Sequence, residues 1–234
     1  MELDNFLDHG DEGEIWFGKA VERRTIDWIK SKLPNLLLKS SSSSAPSTEA
    51  RILDLGCGNG HFTCKLLEAG FINVAALDYS EKAVELARNL IKNSLNSSSG
   101  VSFDQFNPLK SIFQADILDS ESIPEAFRNS FDLVVDKGTF DAISLNPDIV
   151  GEERTSKTFI LASSFKRTLK KLLDPLNPFF IITSCNWTSA ELGAIFGPEF
   201  VAIDEVAHST FTFGGKSGQD VSTVIFKLID CPQG

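Results

Sequence analysis

A chain of 234 residues with 42% hydrophobic and 23% charged content can bury one sizeable core, and its length argues for a single domain. The formal net charge of -10 and sequence pI of about 4.8 weigh against strong nucleic-acid binding, which depends on clustered Lys and Arg, and favour a basic protein partner. The four cysteines show no C-x-x-C pair and no nearby His-x-x-x-His, so neither a zinc site nor a disulfide framework is signalled.

No apolar run approaches the roughly 20 residues of a membrane span, and the acidic N-terminus lacks the pattern of a signal peptide. The expectation is a monomer in the cytoplasm, or also the nucleus, without membrane or direct nucleic-acid contact. Val21, Ile26, Trp28, Ile29 and Leu33 approximate helical spacing and predict a helix over 19–33, inside an N-terminal helical cap spanning 1–38. The serine-rich stretch 39–50 cannot bury apolar surface and reads as a flexible linker.

Short apolar runs then alternate with helical ones, the pattern of parallel strands joined by crossover helices. Strands are expected over 52–55, 73–77, 111–115, 131–135 and 179–183. Helices are expected over 62–69, 81–95 and 156–173, the last stopped before Pro175 by proline's missing donor and fixed φ. The polar stretch from Ser97 to Pro108 marks a longer connection. Residues 200–206 and 222–228 supply two more strands, paired like a hairpin at one edge. The sum is an α/β, Rossmann-like doubly wound sheet of seven strands, mostly parallel with one antiparallel edge strand, in one domain over 1–234.

After the first strand, Gly56-Cys57-Gly58-Asn59-Gly60 opens a helix, so backbone N–H groups can face a ligand without interference from side chains. Asp78 ends the second strand 22 positions after Gly56, near the spacing of an acidic group that bonds ribose hydroxyls. A dinucleotide site would want a glycine at position 61, where this chain has His61, and the turn carries no Lys or Arg for a pyrophosphate. A ribose-bearing ligand without phosphate, S-adenosylmethionine (SAM), fits better. Asp54 can hold the ammonium of its methionine end directly or through water, bond the backbone of its own turn, or do both. Asp116, at the end of the third strand, can accept the exocyclic amine of adenine with Ile117 beside the ring, or cap an exposed strand end. Ser80 is the natural cap of the helix beginning at Glu81.

The fourth strand delivers Asp136-Lys137-Gly138-Thr139-Phe140-Asp141 to the carboxyl edge, where ligands of open α/β sheets bind. There Asp136 can orient an acceptor amine or its departing proton, and Phe140, Trp16, Phe17 and Trp187 can wall a pocket. For each aromatic, core packing is the competing role. The Asp136 tetrad lacks the Pro-Pro-aromatic motif of base-amine methyltransferases. Glu152 and Glu153 do not match the two separated glutamates of arginine methyltransferases. Lysine or another amine remains as acceptor.

Taken together, six blocks resemble the eukaryotic lysine methyltransferases of translation elongation factor 1-alpha, the methyltransferase-like protein ten branch. They are Gly10 to Gly18, the glycine turn, Leu77 to Ser80, Asp136 to Pro147, Ile182 to Thr188 and Phe213 to Gly218. The resemblance implies a class I seven-stranded fold and methyl transfer from SAM to a lysine of elongation factor 1-alpha. It also implies cofactor contacts at Trp16, Gly18, Asn59, Tyr79 and Ser80, beside Asp54, Gly56, Gly58, Gly60, Asp78, Asp116, Ile117 and Asp136. Asn186 and Trp187 would border the acceptor with Asp136 and Phe140. Relatives carry an aromatic-containing segment ahead of the Gly10 block where this chain has nine residues, so reduced activity is expected. A non-catalytic module of the same fold and a small-molecule methyltransferase are the alternatives.

Overall fold

The computed structural model describes residues 14–40, 49–98, 112–146, 154–208, 210–213 and 216–229. Seven strands form one sheet: β1 (Arg51–Leu55), β2 (Asn73–Asp78), β3 (Ile112–Gln114), β4 (Leu133–Lys137), β5 (Phe179–Ser184), β6 (Phe200–Glu205) and, after a separate hairpin of β7 (Thr210–Phe213) and β8 (Lys216–Gln219), β9 (Ser222–Leu228). Their order is β3-β2-β1-β4-β5-β9-β6. The strands are parallel except β9, which pairs antiparallel with both β5 and β6. The antiparallel strand therefore lies one place in from the edge, and β6 forms the border.

Six helices cover this sheet among the described residues: α1 (Gly18–Ser40), α2 (His61–Glu68), α3 (Glu81–Ser98), α4 (Thr139–Leu145), α5 (Arg154–Leu172) and α6 (Ser189–Phe196). Alternation along the strands sends side chains to two cores. Ile52, Leu133, Val135 and Ile181 pack with Ile29 and Leu33 of α1 and Leu66 of α2. Leu53, Val134, Phe180 and Phe226 join an aromatic core with Phe140, Phe165 and Phe196 from α4, α5 and α6. Burial on both faces explains why β4 and β5 read as nearly continuous apolar runs.

Helix α1 continues past Pro34, which the sequence makes a natural stop, because Leu36 and Leu37 still pack on the first core and outweigh one lost backbone bond. Most of the serine-rich linker, 41–48, lies outside the described residues, as do Gly10 to Gly13, Ser99 to Pro108, Pro147, Glu152 and Glu153. At the amino ends of the strands, Arg51 binds Asp132 (Nη2 to Oδ1 2.6 Å) and Asp174 (2.5 Å), tying β1 to the entries of β4 and β5. Strand order reverses between β1 and β4, so a crevice opens at their carboxyl ends.

Candidate cofactor and acceptor site

Gly56, Gly58 and Gly60 all have positive φ, +70°, +52° and +80°, which lets the chain turn sharply from β1 into α2. The amides of Gly56 and Cys57 both donate to the Leu77 carbonyl, at 2.8 and 3.0 Å, and tie the turn to the end of β2. A Cβ on Gly56 would stand 2.0 Å from Thr139 Oγ1, whose hydroxyl donates to the Leu55 carbonyl at 2.7 Å. Gly56 thus permits both the backbone angle and the close approach of α4. Nothing lies within 4 Å of a Cβ placed on Gly58, so that side of the turn is open.

Asp78 closes the other side of the turn. Its Oδ2 accepts from Gly58 N and its Oδ1 from Ser80 N, each at 2.9 Å. An ionised carboxylate offers about four lone-pair sites, so each oxygen can still accept from a ligand.

A cleft of about 430 Å³ runs along these carboxyl ends. Of the residues expected at the cofactor, Trp16, Gly56, Gly58, Asn59, Asp78, Tyr79, Asp116 and Ile117 line it. Its apolar surface comes from Leu77, Ala115 and Leu118 on the β2–β3 side and Ala142 and Ile143 of α4 on the other. Lys137, Gly138 and Thr139, expected at this edge, also line it, and Glu14, Cys57 and Asn146, to which the sequence assigns no contact of their own, complete it. Strand alternation separates Lys137 from Asp136, because neighbours on a strand point to opposite faces.

Glu14 and Trp16, just ahead of α1, form part of the cleft's rim. Asn59 Nδ2 donates to the Glu14 carbonyl at 3.3 Å, and Phe17 takes a left-handed φ of 66°. A Cβ on Gly138, whose φ is +91°, would meet the rings of Trp16 at 2.8 Å and Phe17 at 2.9 Å. Only a glycine leaves room for both rings. Behind them a buried contact, His61 Nδ1 to Glu22 at 3.0 Å, holds α1 against α2.

A methyltransferase-domain family model matches residues 46–210. Zebrafish (Danio rerio) EEF1A lysine methyltransferase 2 is 36% identical over 98% of this chain and 83% of its own length. The human protein of that name is 36% identical over 97% and 80%. Fission-yeast (Schizosaccharomyces pombe) protein-lysine N-methyltransferase efm4 is 33% identical over 97% and 88%. The chain belongs to this methyltransferase family.

Solved structures show the same fold in more distant proteins. PH0226 of Pyrococcus horikoshii superposes with a TM-score of 0.55 at 15% identity, covering 91% of this chain and 93% of that one. The magnesium protoporphyrin IX methyltransferase of Synechocystis, solved with bound SAM, gives 0.50 at 16% identity, covering 97% and 94%.

Several expected site residues of this methyltransferase lie away from the cleft. Asp136 is fully buried, and its two oxygens accept from Thr139 N (2.8 Å) and Phe140 N (2.9 Å), the first turn of α4. Burial pushes its pKa up to about 8 against the opposing pull of these amides. Two residues ahead of the N-cap Gly138, its carboxylate holds the first amides of α4 and has no face toward an acceptor, so the geometry gives it neither the expected catalytic nor the expected cofactor contact. Phe140 is likewise a core residue, packed edge-on against Phe165 and Phe196 at centroid distances of 5.4 and 5.3 Å.

Asn186 and Trp187 sit in a turn after β5, outside the cleft lining. Both of their amides donate to Ser184 Oγ at 3.0 Å, and Trp187 Nε1 donates to Ser144 Oγ at 3.2 Å. Gly18 only turns the chain into α1, and Gly60 packs its bare Cα against Ala87. Ser80 caps α3, with Ala83 N donating to its Oγ at 3.4 Å. Asp54 lies beneath the turn with 2% exposure, and its Oδ2 accepts from Thr63 Oγ1 at 2.6 Å. Burial raises its pKa to about 6, countered by the Thr63 hydroxyl and the charge of Lys137. Asp54 does not line the cleft, and its bond goes to the Thr63 side chain of α2 rather than to the backbone of its own turn.

Proposed function

We propose that this chain transfers a methyl group from SAM to a lysine side chain of translation elongation factor 1-alpha. The observation that carries the substrate is the match to EEF1A lysine methyltransferase 2 along almost the whole chain, 36% identical over 98% of it. The excess of acidic residues, a net charge of -10, suits a basic protein partner.

The residues of the cleft fit the cofactor. Asp78 keeps acceptor capacity for the ribose hydroxyls beyond the two amides it already holds. Ile117 and Leu118 offer an apolar surface to adenine, and Asp116, whose Oδ1 accepts from Leu118 N at 2.8 Å, has a second oxygen for the adenine amine. The bare face of Gly58 lets the backbone approach the ligand closely.

When bound, SAM supplies a methyl group on a positively charged sulfur, an electrophile that needs only an aligned electron pair. The protein therefore has to position an amine and keep it neutral. A lysine has a pKa of about 10.4 in water, and desolvation disfavours its charged form. Trp16, Ala142 and Ile143 provide the apolar surface against which the amine sheds water. Because Asp136 is sealed under Thr139 and Phe140, the proton leaves to solvent rather than to that carboxylate. Trp16 and Tyr79 remain 48% and 77% exposed, which keeps the rim open to a side chain presented by a large partner.

Incubation with isotopically labelled SAM and purified elongation factor 1-alpha, followed by mass spectrometry of its lysines, tests the proposal. A labelled lysine is expected. An unmodified factor beside a methylated small amine would overturn the substrate assignment.

A further inference from the structure

Four charged side chains line the cleft: the carboxylates of Glu14, Asp78 and Asp116, and one ammonium, that of Lys137. Among the described residues the Lys137 ammonium makes no hydrogen bond and no salt bridge, although its charge lowers the pKa of Asp54. Asp54 itself is committed to Thr63. Arg51, Lys65, Lys166, Lys170 and Lys171, by contrast, all stand in ion pairs. A half-buried ammonium bonded to no side chain keeps its three donors for a ligand anion.

Position identifies that anion. The register pairs Asp54 with Val135 and Leu55 with Asp136. Alternation then puts Lys137 on the face of Asp54, one residue beyond the end of β1, and Asp136 on the opposite face. Asp78 and Asp116 occupy the β2–β3 end of the cleft, and Lys137 occupies the β4 end, across the glycine turn. A ribose held at Asp78 therefore directs the amino-acid end of the cofactor toward Lys137. That end carries an α-carboxylate, and an ammonium with three donors is its natural partner.

We infer that Lys137 anchors the α-carboxylate of SAM and so sets the direction in which the cofactor lies along the cleft. The inference rests on the SAM reading above. It makes Lys137 a binding and orienting group, with no part in moving the acceptor's proton.

Calorimetric titration with SAM and with decarboxylated SAM, which lacks only this carboxylate, tests it. Replacing Lys137 with Met should weaken SAM by about 10- to 100-fold, the range of one charge-assisted bond, and leave decarboxylated SAM within about threefold. Lys137→Arg should recover most of the loss. Unchanged SAM affinity in Lys137→Met overturns the inference. Equal weakening of both ligands in Lys137→Met and Lys137→Arg alike overturns it as well. Wild-type protein that binds neither ligand contradicts the cofactor reading itself, and the inference with it.

Discussion

Asp78 and Asp136 are alike in the sequence: each ends or nearly ends a parallel strand, and each is followed by a turn into a helix. In the fold they are opposites. Asp78 sits at the lip of the cleft, holding Gly58 N and Ser80 N while its outer lone pairs face the cavity. Asp136 has no exposure at all and spends both oxygens on the first turn of α4. The difference comes from strand alternation: Asp136 shares a face with Leu55 of β1, over the aromatic core, while its neighbour Lys137 faces the cleft. A carboxylate at a strand end is a site only when the pleat points it there.

Substitutions should separate the two residues. Asp136→Ala leaves two amides without their acceptor beside a packed core and should cost about 2 to 4 kcal/mol of stability in urea unfolding. A loss below about 0.5 kcal/mol, no more than an ordinary surface change, would dissolve the contrast. Asp78→Ala should weaken binding of S-adenosylhomocysteine (SAH) by about 1 to 3 kcal/mol in calorimetry while the protein stays folded. Unchanged affinity would remove Asp78 from the site.

Between these two sides lies Gly138. Gly138→Ala places a Cβ against Trp16 and Phe17 at a φ of +91°, and should lower stability by about 1 to 2 kcal/mol. A blue or red shift of Trp16 emission would accompany it if the two rings are displaced, and a variant with wild-type emission and melting would show that they do not pack there.

Protonation extends the comparison. Burial raises the pKa of Asp54 to about 6 and of Asp136 to about 8, both above the roughly 3.9 of an unfolded aspartate. The folded state thus retains protons that the unfolded chain has released. Their contribution is complete below about pH 4 and is lost as pH rises through 6 and then 8. Melting temperatures should fall across that window, and Asp136→Asn should flatten its upper half. A wild-type curve that is flat between pH 5 and 8 would contradict the burial argument. The smallest effect is expected from Asn186→Ala, exposed and outside the cleft, with SAH affinity changed by less than about 0.5 kcal/mol.

Much of this was legible in the sequence because it depends on local chemistry. The glycine turn, Asp78 at its spacing and Ser80 as a cap follow from residue type and position. The alternation of strands and helices likewise specified the doubly wound sheet. Less was legible where distant packing decides. Pro34 does not end α1, because Leu36 and Leu37 find the core beyond it. The antiparallel β9 inserts between β5 and β6, a placement set by which strand edge is left unpaired. Phe140 looked like a pocket wall, yet it belongs to the stack with Phe165 and Phe196.

The central claim is that the cofactor lies along the β1–β2–β3 ends and β4, away from the turn after β5. Amide hydrogen exchange with and without SAH tests this most directly. Protection should concentrate in the Gly56 to Gly60 turn, at Tyr79 and Ser80, and in Asp116 to Leu118, with Asn186 and Trp187 unchanged. Protection at Asn186 and Trp187 with none at the glycine turn would contradict it.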